Sequence, residues 1–413
     1  MGATARLKRL AQRELATAAA AVPARVLARA LPASQRFDPR ADPTPLVTPS
    51  GERRLLIAPV NSAGQGWAWA RSAERLPGVG AASMTIRPVA DFGFPADQVV
   101  PLGEYRWSRR WQSAQRRTVM SGFTHVLLES GQPAFGDAFG ARPLREVSQL
   151  REAGIHVALL FHGSDLRSPS RHREREADSP YAVGIWERTP GIELRTAESA
   201  ELIRRADVPV FVSTPDLLDD ARAAGAEPRW LPVVVDPERW SAVVPPLSRT
   251  GRPVVAHAPS RAIVKGSDLI DPVLQALHDE GLVEYRRISG VSSCDMPAAY
   301  GAADIVLDQF RIGSYGVAAC EALAAGRIVV SHVADPVRAT VLAETGLELP
   351  IVQSTARELS ETIRRIIADP SHALTRAAAG PSFVRAVHDG RRSAAALAGF
   401  LGVDAPAVRP AAE

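Results

Sequence analysis

The stretch Asp304-Ile-Val-Leu-Asp308-Gln-Phe310-Arg-Ile-Gly313-Ser-Tyr-Gly316-Val-Ala-Ala-Cys-Glu321-Ala-Leu-Ala-Ala-Gly326-Arg-Ile-Val-Val-Ser-His332 predicts a strand, a glycine-containing turn, a short helix and a second strand in succession. Its first apolar residues, 305–307, favour a β-strand, and residues 317–325 are rich in helix-forming side chains. Gly326 stands where this helix would end. Strands that alternate with helices form parallel sheets, so the stretch predicts part of an α/β fold.

The turn before the predicted helix has the features of a phosphate-binding site. Gly313 and Gly316 allow the backbone to approach a ligand closely. The helix would direct free N–H groups and the positive end of its dipole at the turn, which favours an anion. Glu321 lies one turn inside the helix. Because its carboxylate would repel a phosphate, we expect it to reach sideways to a sugar hydroxyl.

This order of residues resembles the carboxyl-terminal half of GT-B glycosyltransferases, enzymes with two Rossmann-like lobes that use nucleotide sugars. Tyr315-Gly316 and Glu321-Ala322 match the Phe-Gly and Glu-Ala positions of the retaining group, whose signature is a glutamate, seven residues and a second glutamate. Gly313 stands where the signature has its first acid. In relatives that first glutamate approaches the donor sugar or stabilises the surroundings of the leaving group. The resemblance implies that the donor is bound by Gly313, Ser314, Tyr315, Gly316, Val317 and Glu321.

Length and composition indicate a globular protein of two domains. The chain has 413 residues, of which 46% are hydrophobic and 23% charged, so it is long enough for two buried cores. Its formal charge of +4 is small, and no basic run is interleaved with aromatic residues, which argues against a nucleic-acid partner. Cys294 and Cys320 form no disulfide or metal-binding pattern, as expected for reduced thiols in the cytoplasm.

The start of the chain is basic and rich in alanine and leucine. It carries Arg6, Lys8, Arg9, Arg13, Arg25 and Arg29. No stretch approaches the length of uninterrupted apolar residues that a transmembrane helix needs, and the charges argue against a secretory signal. We therefore interpret the segment as an amphipathic or loosely ordered leader of a cytoplasmic protein. Peripheral binding to the inner membrane face through this leader is a hypothesis.

The order of predicted strands and helices, read with the resemblance, gives an α/β protein of two Rossmann-like lobes whose parallel sheets face each other across a cleft. We predict a basic leader and linker at 1–50, an acceptor lobe at 51–240, and a nucleotide-sugar lobe at 241–378. The resemblance implies that a final helical segment, 379–402, returns to the first lobe.

The first lobe opens with a buried strand, Arg54–Val60, followed by a turn that contains Gly64 and Gly66. These two glycines match only part of a dinucleotide fingerprint, so a nicotinamide oxidoreductase is weakly supported. In the resembled family the equivalent loop lies beside the cleft, near the acceptor and the donor phosphate. A tight turn that only packs the helix on the sheet is the structural alternative.

A later strand of this lobe ends in Phe161-His162-Gly163-Ser164-Asp165, at the sheet edge where α/β folds bind ligands. His162 could hydrogen-bond a hexose hydroxyl, and Asp165 could hold the acceptor or cap a helix. Relatives have a similar turn facing the cleft, although a loop histidine bonded within the protein is the alternative. The charged run 167–178 reads as a solvated face or as a lid over an anionic acceptor. We expect region 92–145 to be poorly ordered, and we expect this region and the charged turn after Asp165 to determine the choice of acceptor.

The second lobe begins with a strand followed by a turn that carries Arg261 and Lys265. Arginine can bind two phosphate oxygens at once, and lysine supplies a compact positive charge. The resembled family places both residue types in this loop, where they neutralise the donor diphosphate.

The resemblance implies a retaining transferase that moves a hexose to a glycan, lipid or small-molecule acceptor without a metal or another cofactor. The implied catalytic residues are His162, Arg261, Lys265 and Glu321, and the acceptor-side residues are Gly64, Gly66, His162 and Asp165. Because Gly313 replaces an acid, the alternative is a protein that binds a nucleotide sugar, has little or no transfer activity, and acts as a partner of another transferase.

Overall fold

The computed structural model describes residues 22–87, 93–139, 142–242 and 244–405. The chain in these ranges forms two parallel β-sheets, each flanked by helices, as the sequence predicted. The first sheet contains β1 (Arg53–Ala58), β2 (Val79–Arg87), β3 (Gln98–Pro101), β4 (His125–Glu129), β5 (His156–Phe161), β6 (Val210–Val212) and β7 (Arg229–Trp230). The second contains β8 (Val254–His257), β9 (Glu284–Arg287), β10 (Ile305–Leu307), β11 (Ile328–Ser331) and β12 (Val352–Gln353).

The helices lie between and around these strands. Those up to the end of the first sheet are α1 (Ala24–Ala30), α2 (Gln65–Ala73), α3 (Leu102–Trp107), α4 (Arg109–Gly122), α5 (Pro143–Glu152), α6 (Pro169–Arg175), α7 (Thr189–Ala206) and α8 (Leu217–Ala223). The remainder are α9 (Pro237–Trp240), α10 (Ala262–Lys265), α11 (Ser267–Asp279), α12 (Met296–Gly301), α13 (Val317–Ala324), α14 (Asp335–Thr345), α15 (Leu359–Ala368), α16 (Ser371–Val387) and α17 (Arg391–Leu401). None of the helices in the described ranges is both long and apolar enough to cross a membrane.

The apolar runs that predicted strands are buried on both faces. In β1 the residues from Leu55 to Ala58 are fully buried, and Leu55 lies in register with Ala81 of β2 and His125 of β4. In the second sheet Ile305 pairs with Val255 and Ile328. Burial on both faces removes the alternation of polar and apolar residues, which is why these strands appear in the sequence as continuous hydrophobic runs.

The strands β3 and β7 are missing from the sequence prediction. The strand β3 begins with the polar Gln98, and β7 has only two residues, so neither has a hydrophobic run to reveal it. The expectation that region 92–145 is poorly ordered was wrong, because β3, α3 and α4 follow one another between residues 98 and 122. Buried aromatic side chains such as Tyr105 and Trp111 hold this region against the first sheet.

The chain returns to the first lobe at its end. The helix α17 packs against α2, and Arg53 donates from Nε to the Leu401 carbonyl oxygen at 3.1 Å. Just before α17, the buried His388 faces Val233 through Nδ1 at 2.8 Å and the Tyr315 hydroxyl through Nε2 at 3.3 Å. This histidine therefore joins both lobes and the connection between them, which is a structural role.

A second connection between the lobes runs through residues 168–188, here called the strap. His172 Nε2 lies 3.2 Å from the Ile312 carbonyl oxygen, and Arg311 donates to the Asp178 carbonyl oxygen at 2.9 Å. Trp186, near the end of the strap, lies beneath the guanidinium of Arg261. The strap thus reaches from the carboxyl edge of the first sheet to loops of the second lobe.

The charged run that contains part of the strap is not simply a solvated face. Arg167 donates to Asp216 from Nε at 2.8 Å and from Nη2 at 2.5 Å, and this pair is largely buried. Arg171 and Arg175 both pair with the buried carboxylate of Asp220. The charges therefore tie the strap to α8 and the residues just before it.

Candidate functional site

The second sheet places its two functional loops side by side. Its strand order is β12-β11-β10-β8-β9, so the connections leaving β8 and β10 run to opposite sides of the sheet. Ligands of open α/β folds bind in the crevice that such a reversal leaves at the carboxyl ends of the strands. The loop after β8 carries Arg261 and Lys265, and the loop after β10 leads from Asp308 to α13.

Lys265 is positioned at this crevice by an ion pair. Its Nζ bonds to Oδ1 of Asp308, and its side chain is 14% exposed, against 1% for the aspartate. The backbone reinforces the contact, since the Phe310 amide donates to the Lys265 carbonyl oxygen at 3.0 Å. Among the described residues, Oδ2 of Asp308 is buried without a hydrogen-bond partner. The ammonium is therefore held by one oxygen of a carboxylate and keeps a partly open side toward solvent.

Both charges of this pair affect the pKa of Glu321. Burial raises the pKa of Glu321 to about 8, the cations Arg239 and Lys265 oppose that shift, and Asp308 adds to it. At neutral pH the carboxyl is consequently protonated, and it can both donate and accept a hydrogen bond. A neutral carboxyl does not repel a neighbouring phosphate, so Glu321 is suited to a sugar hydroxyl beside a diphosphate.

The first turn of α13 is open to solvent next to Glu321. Gly316 precedes the helix, and a Cβ placed on it would contact nothing within 4 Å. Val317, the first helical residue, lines the same cleft as Glu321. The first turn of the helix therefore borders accessible space, and the amides of a helix N-terminus favour an anion.

Two of the residues expected to bind the donor are buried. The Tyr315 ring is 2% exposed and its hydroxyl lies at His388, so this side chain belongs to the core between the lobes. Ser314 is 1% exposed, and its carbonyl oxygen accepts a bond from Gln309 Nε2. Neither residue lines the cleft, whereas Val317, two residues after Tyr315, does.

Arg261 does not join Lys265 and Glu321 in this structure. Its guanidinium carbon lies 5.6 Å from the centre of the Trp186 ring, and the side chain is exposed. It forms no ion pair with any residue in the described ranges. The sequence predicted that two cations meet at this crevice. Lys265 lies there, whereas Arg261 is held by the strap.

The first lobe supplies the opposite wall of the cleft. Gly64 has a φ of 76°, and a Cβ on it would lie 3.0 Å from the Phe94 ring, so a larger residue would be strained there. Gly66 packs against Asn61, whose Cα would lie 3.2 Å from an added Cβ. Gly64 lines the cleft, whereas Gly66 lets α2 pack closely on the turn.

The cleft between Gly64 and Glu321 has a volume of about 490 Å³ and mixed charge. Its walls carry five arginines and four acids, which are Arg71, Arg75, Arg239, Arg385, Arg391, Asp236, Glu238, Glu321 and Asp389. The cations outnumber the acids, and the raised pKa of Glu321 increases this excess near neutral pH. Arg239, which sequence reasoning missed, belongs to α9 in the connection between lobes, and only the folded chain brings it to Glu321.

His162 is organised by a buried glutamate. Glu129, at the end of β4, accepts from the Val60 and Asn61 amides at 2.8 Å each and lies 3.1 Å from His162 Nε2. The imidazole stacks on Trp69 with ring centres 5.6 Å apart. Burial alone would lower the pKa of His162, but the hydrogen bond and the charge of Glu129 raise it overall. The ring is 11% exposed, so it retains a small accessible surface.

Asp165 is occupied within its own turn. It accepts from Ser130 Oγ at 2.6 Å, from the Gly163 amide at 2.6 Å and from the His162 amide at 3.0 Å. Burial would raise the pKa of Asp165, and His162 together with these hydrogen bonds holds it below its usual value. Its carboxylate therefore fixes the turn that presents His162, and nothing in its contacts directs it at an acceptor.

Gly313 faces a carboxylate from the other lobe. It has a φ of 69°, and a Cβ built on it would lie 2.1 Å from Oε1 and 2.7 Å from Cδ of Glu176. Glu176 belongs to the strap, and its Oε2 lies 2.7 Å from His332 Nε2. Sequence reasoning missed this residue, because Glu176 is one of several charges in a run and nothing in the sequence links it to Gly313.

The two lobes and the crevice between them define the GT-B class of fold. Sucrose-phosphate synthase from Thermosynechococcus elongatus superposes with a TM-score of 0.57 at 14% identity, over 82% of this chain and 96% of that chain. Anabaena HepE in complex with UDP and glucose gives 0.51 at 16% identity, over 84% and 98%. The catalytic domain of starch synthase IV from Arabidopsis thaliana, bound to ADP and acarbose, gives 0.53 at 9% identity, over 84% and 98%.

This protein therefore has the fold of the GT-B glycosyltransferases, as the resemblance predicted. No protein-family profile and no curated protein matches its sequence.

Proposed function

We propose that this protein is a glycosyltransferase that moves a hexose from a nucleotide diphosphate sugar to an acceptor, with retention at the anomeric carbon. The observation that carries the proposal is the meeting of Lys265, Asp308 and Glu321 beside the open first turn of α13. A fixed cation, free amides and a neutral carboxyl together match a diphosphate joined to a ribose. The fold shared with HepE, which was solved with UDP and glucose, supports the same ligand class.

In the proposed reaction the bond between the anomeric carbon and the diphosphate oxygen breaks, and a bond to the acceptor oxygen forms. Lys265 and the amides near Gly316 stabilise the departing diphosphate, so no metal is needed. Arg261 stacks on Trp186 in this structure, so the proposed stabilisation of the diphosphate rests on Lys265 and these amides. The acceptor proton passes to the leaving diphosphate. His162 orients hydroxyl groups on the acceptor side.

The test is to incubate purified protein with UDP-, GDP- and dTDP-hexoses and to measure release of the nucleoside diphosphate. We expect release from one nucleotide class, undiminished by a metal chelator, and a product whose anomeric configuration by NMR equals that of the donor. Release that stops with the chelator would contradict metal independence, and an inverted product would contradict retention.

A sugar-nucleotide-binding protein without transfer activity is the second candidate, because Gly313 has no side chain where the signature has an acid. The same assay separates the two functions. Binding of a donor, seen as a rise in thermal stability, without release of diphosphate under any acceptor condition would favour this second candidate.

We propose that the acceptor is a glycan, a lipid or a small molecule and that the protein works in the cytoplasm, with its basic start at the inner membrane face. The exposed Arg25 and Arg29 of α1 support this placement, while residues 1–21 lie outside the described ranges. Sedimentation with anionic vesicles tests it. Equal sedimentation of the full chain and of a variant lacking residues 1–45 would contradict it.

A further inference from the structure

The strap brings one acidic side chain to the carboxyl edges of both sheets. It follows the His162 turn at the end of β5, and Glu176 stands at the end of α6. On the opposite side lie Gly313, in the loop after β10, and His332, directly after β11. Ligands of α/β folds bind beyond these strand ends, so Glu176 stands in the region where the two lobes can share a ligand.

The position of the Glu176 carboxylate is fixed from one side only. Gln353 Nε2 lies 3.0 Å from His332 Nδ1 and can donate to it, which leaves the imidazole proton on Nε2 for Glu176 Oε2. Oε1, the oxygen that faces Gly313, forms no hydrogen bond with any residue in the described ranges. The glutamate side chain is 13% exposed, and Oε1 is not among the fully buried atoms that lack a partner, so this oxygen keeps accessible surface at which a ligand hydroxyl can donate.

Gly313 explains why the carboxylate can stand there. An ideal Cβ at this position would overlap Oε1 at 2.1 Å, so any side chain at 313 would have to displace Glu176. The Glu176 carboxylate therefore lies where the Cβ of a side chain at position 313 would point. An acid attached to the first lobe thus occupies the space that an acid at 313 would fill.

We infer that Glu176 supplies, from the first lobe, the carboxylate that binds hydroxyl groups of the donor hexose. The inference rests on the proposed function, because it assigns a donor-binding residue to the same site. Oε1 accepts a hydrogen bond from a sugar hydroxyl, and His332 holds the carboxylate in place through Oε2. Since the acid and Lys265 belong to different lobes, the sugar part of the donor site is complete only while the strap contacts the second lobe.

The experiment compares binding of UDP-, GDP- and dTDP-hexoses with binding of the matching nucleoside diphosphates, by calorimetry on the full chain. We expect Glu176→Gln to weaken the sugar nucleotide by about ten- to hundredfold, the effect of losing a hydrogen bond to a charged group, and the diphosphate less than about twofold. Glu174→Gln, on an exposed neighbour in α6, is the matched control and should change neither affinity.

Two variants separate sugar binding from a purely structural contact. His332→Ala keeps the carboxylate and should retain more affinity for the sugar nucleotide than Glu176→Gln does. The double variant Glu176→Ala with Gly313→Glu moves the acid to the second lobe and removes the overlap with Oε1. It should recover at least about tenfold of the affinity that Glu176→Ala loses, in spite of the positive φ at 313.

The outcomes distinguish this inference from the proposed function. If Glu176→Gln weakens the sugar nucleotide and the diphosphate equally, or weakens neither, Glu176 does not bind the sugar, while the transferase proposal stands. If the wild-type protein binds none of the nucleotides, the proposed function fails and the inference fails with it. A double variant no better than Glu176→Ala would also contradict the inference.

Discussion

Lys265 and Asp308 form an ion pair at the carboxyl edge of the second sheet, with the aspartate side chain 1% exposed and the lysine 14%. The pair gives Lys265 two roles. It neutralises a buried carboxylate, and it presents a positive charge beside Glu321 and α13. Removing the lysine therefore affects stability and, in the proposed function, the binding of the leaving diphosphate.

The first prediction separates these two roles. Lys265→Met leaves Asp308 buried without its partner, and the free energy of unfolding should fall by about 3–5 kcal/mol. Adding Asp308→Asn removes the uncompensated charge and should restore most of that stability. Turnover should stay about a hundredfold lower in both variants, because neither has the cation that stabilises the diphosphate. Denaturant unfolding and release of nucleoside diphosphate measure the two effects. A double variant with normal turnover would show that Lys265 acts only on stability.

The second prediction concerns pH. Glu321 is neutral below its pKa of about 8, and its ionisation above that value places a negative charge beside the bound diphosphate. Affinity for the nucleoside diphosphate should therefore fall as the pH rises through about 8 and should vary much less in Glu321→Gln. Calorimetric titrations on both sides of that pKa test this expectation. Identical pH profiles for the two proteins would mean that Glu321 is remote from the phosphate.

The same ionisation has a consequence for folding. Because the folded protein keeps the Glu321 proton up to about pH 8, whereas the unfolded chain releases it near the usual glutamate pKa of 4.5, the folded state binds more protons between these values. The contribution of Glu321 to stability is therefore complete below pH 4.5 and declines as the pH rises to about 8. The difference in unfolding free energy between wild type and Glu321→Gln should show this slope. A difference that is constant across the window would contradict the raised pKa.

A further prediction addresses His162. Glu129 raises the pKa of this imidazole through a hydrogen bond and its charge, so Glu129→Gln should lower the pKa of His162 because burial then acts with less opposition. An NMR titration of the imidazole protons measures the change directly. Glu198→Gln, on α7, serves as a control for the general loss of one carboxylate. An unchanged His162 pKa in Glu129→Gln would mean that the 3.1 Å contact between Glu129 and His162 does not raise that pKa.

The base of the strap provides a prediction about stability. Arg167 and Asp216 are 7% and 13% exposed, and the arginine donates twice to Oδ2 of the aspartate. Arg167→Met should lower the free energy of unfolding by about 3–5 kcal/mol, because it leaves a buried carboxylate unpaired. Arg204→Met, which breaks an exposed pair with Glu201, should cost less than about 1 kcal/mol. Equal losses in the two variants would show that the Arg167 pair behaves as a surface contact.

The fold was predictable because its signals are local. Residues 305–307 form a strand on hydrophobicity alone, and Gly326, with a φ of 64°, ends the preceding helix as its position predicts. The helix α15 begins at Leu359, directly after a turn in which the Thr355 amide donates to Oε2 of Glu358 at 3.1 Å. Such elements depend on neighbouring residues, which a sequence displays directly.

The candidate site was predictable only in part, because its contacts join distant residues. Lys265 and Glu321 could be chosen from their loops, but the sequence does not show that Arg239 lies beside Glu321 or that Trp186 holds Arg261. The sequence also does not show which way a side chain points: Tyr315 faces His388 rather than the crevice. The contact of Glu176 with Gly313 crosses two lobes and leaves no local pattern.

If Lys265 and the first turn of α13 bind one diphosphate, a crystal structure of the complex will show both contacts. The crystal structure of the protein with the nucleoside diphosphate that most raises its melting temperature should show phosphate oxygens within hydrogen-bonding distance of Lys265 Nζ and the Gly316–Val317 amides. The ribose hydroxyls should then lie at Glu321. A nucleotide bound elsewhere, with Lys265 still paired only with Asp308, would show that Lys265 and α13 do not form the diphosphate site.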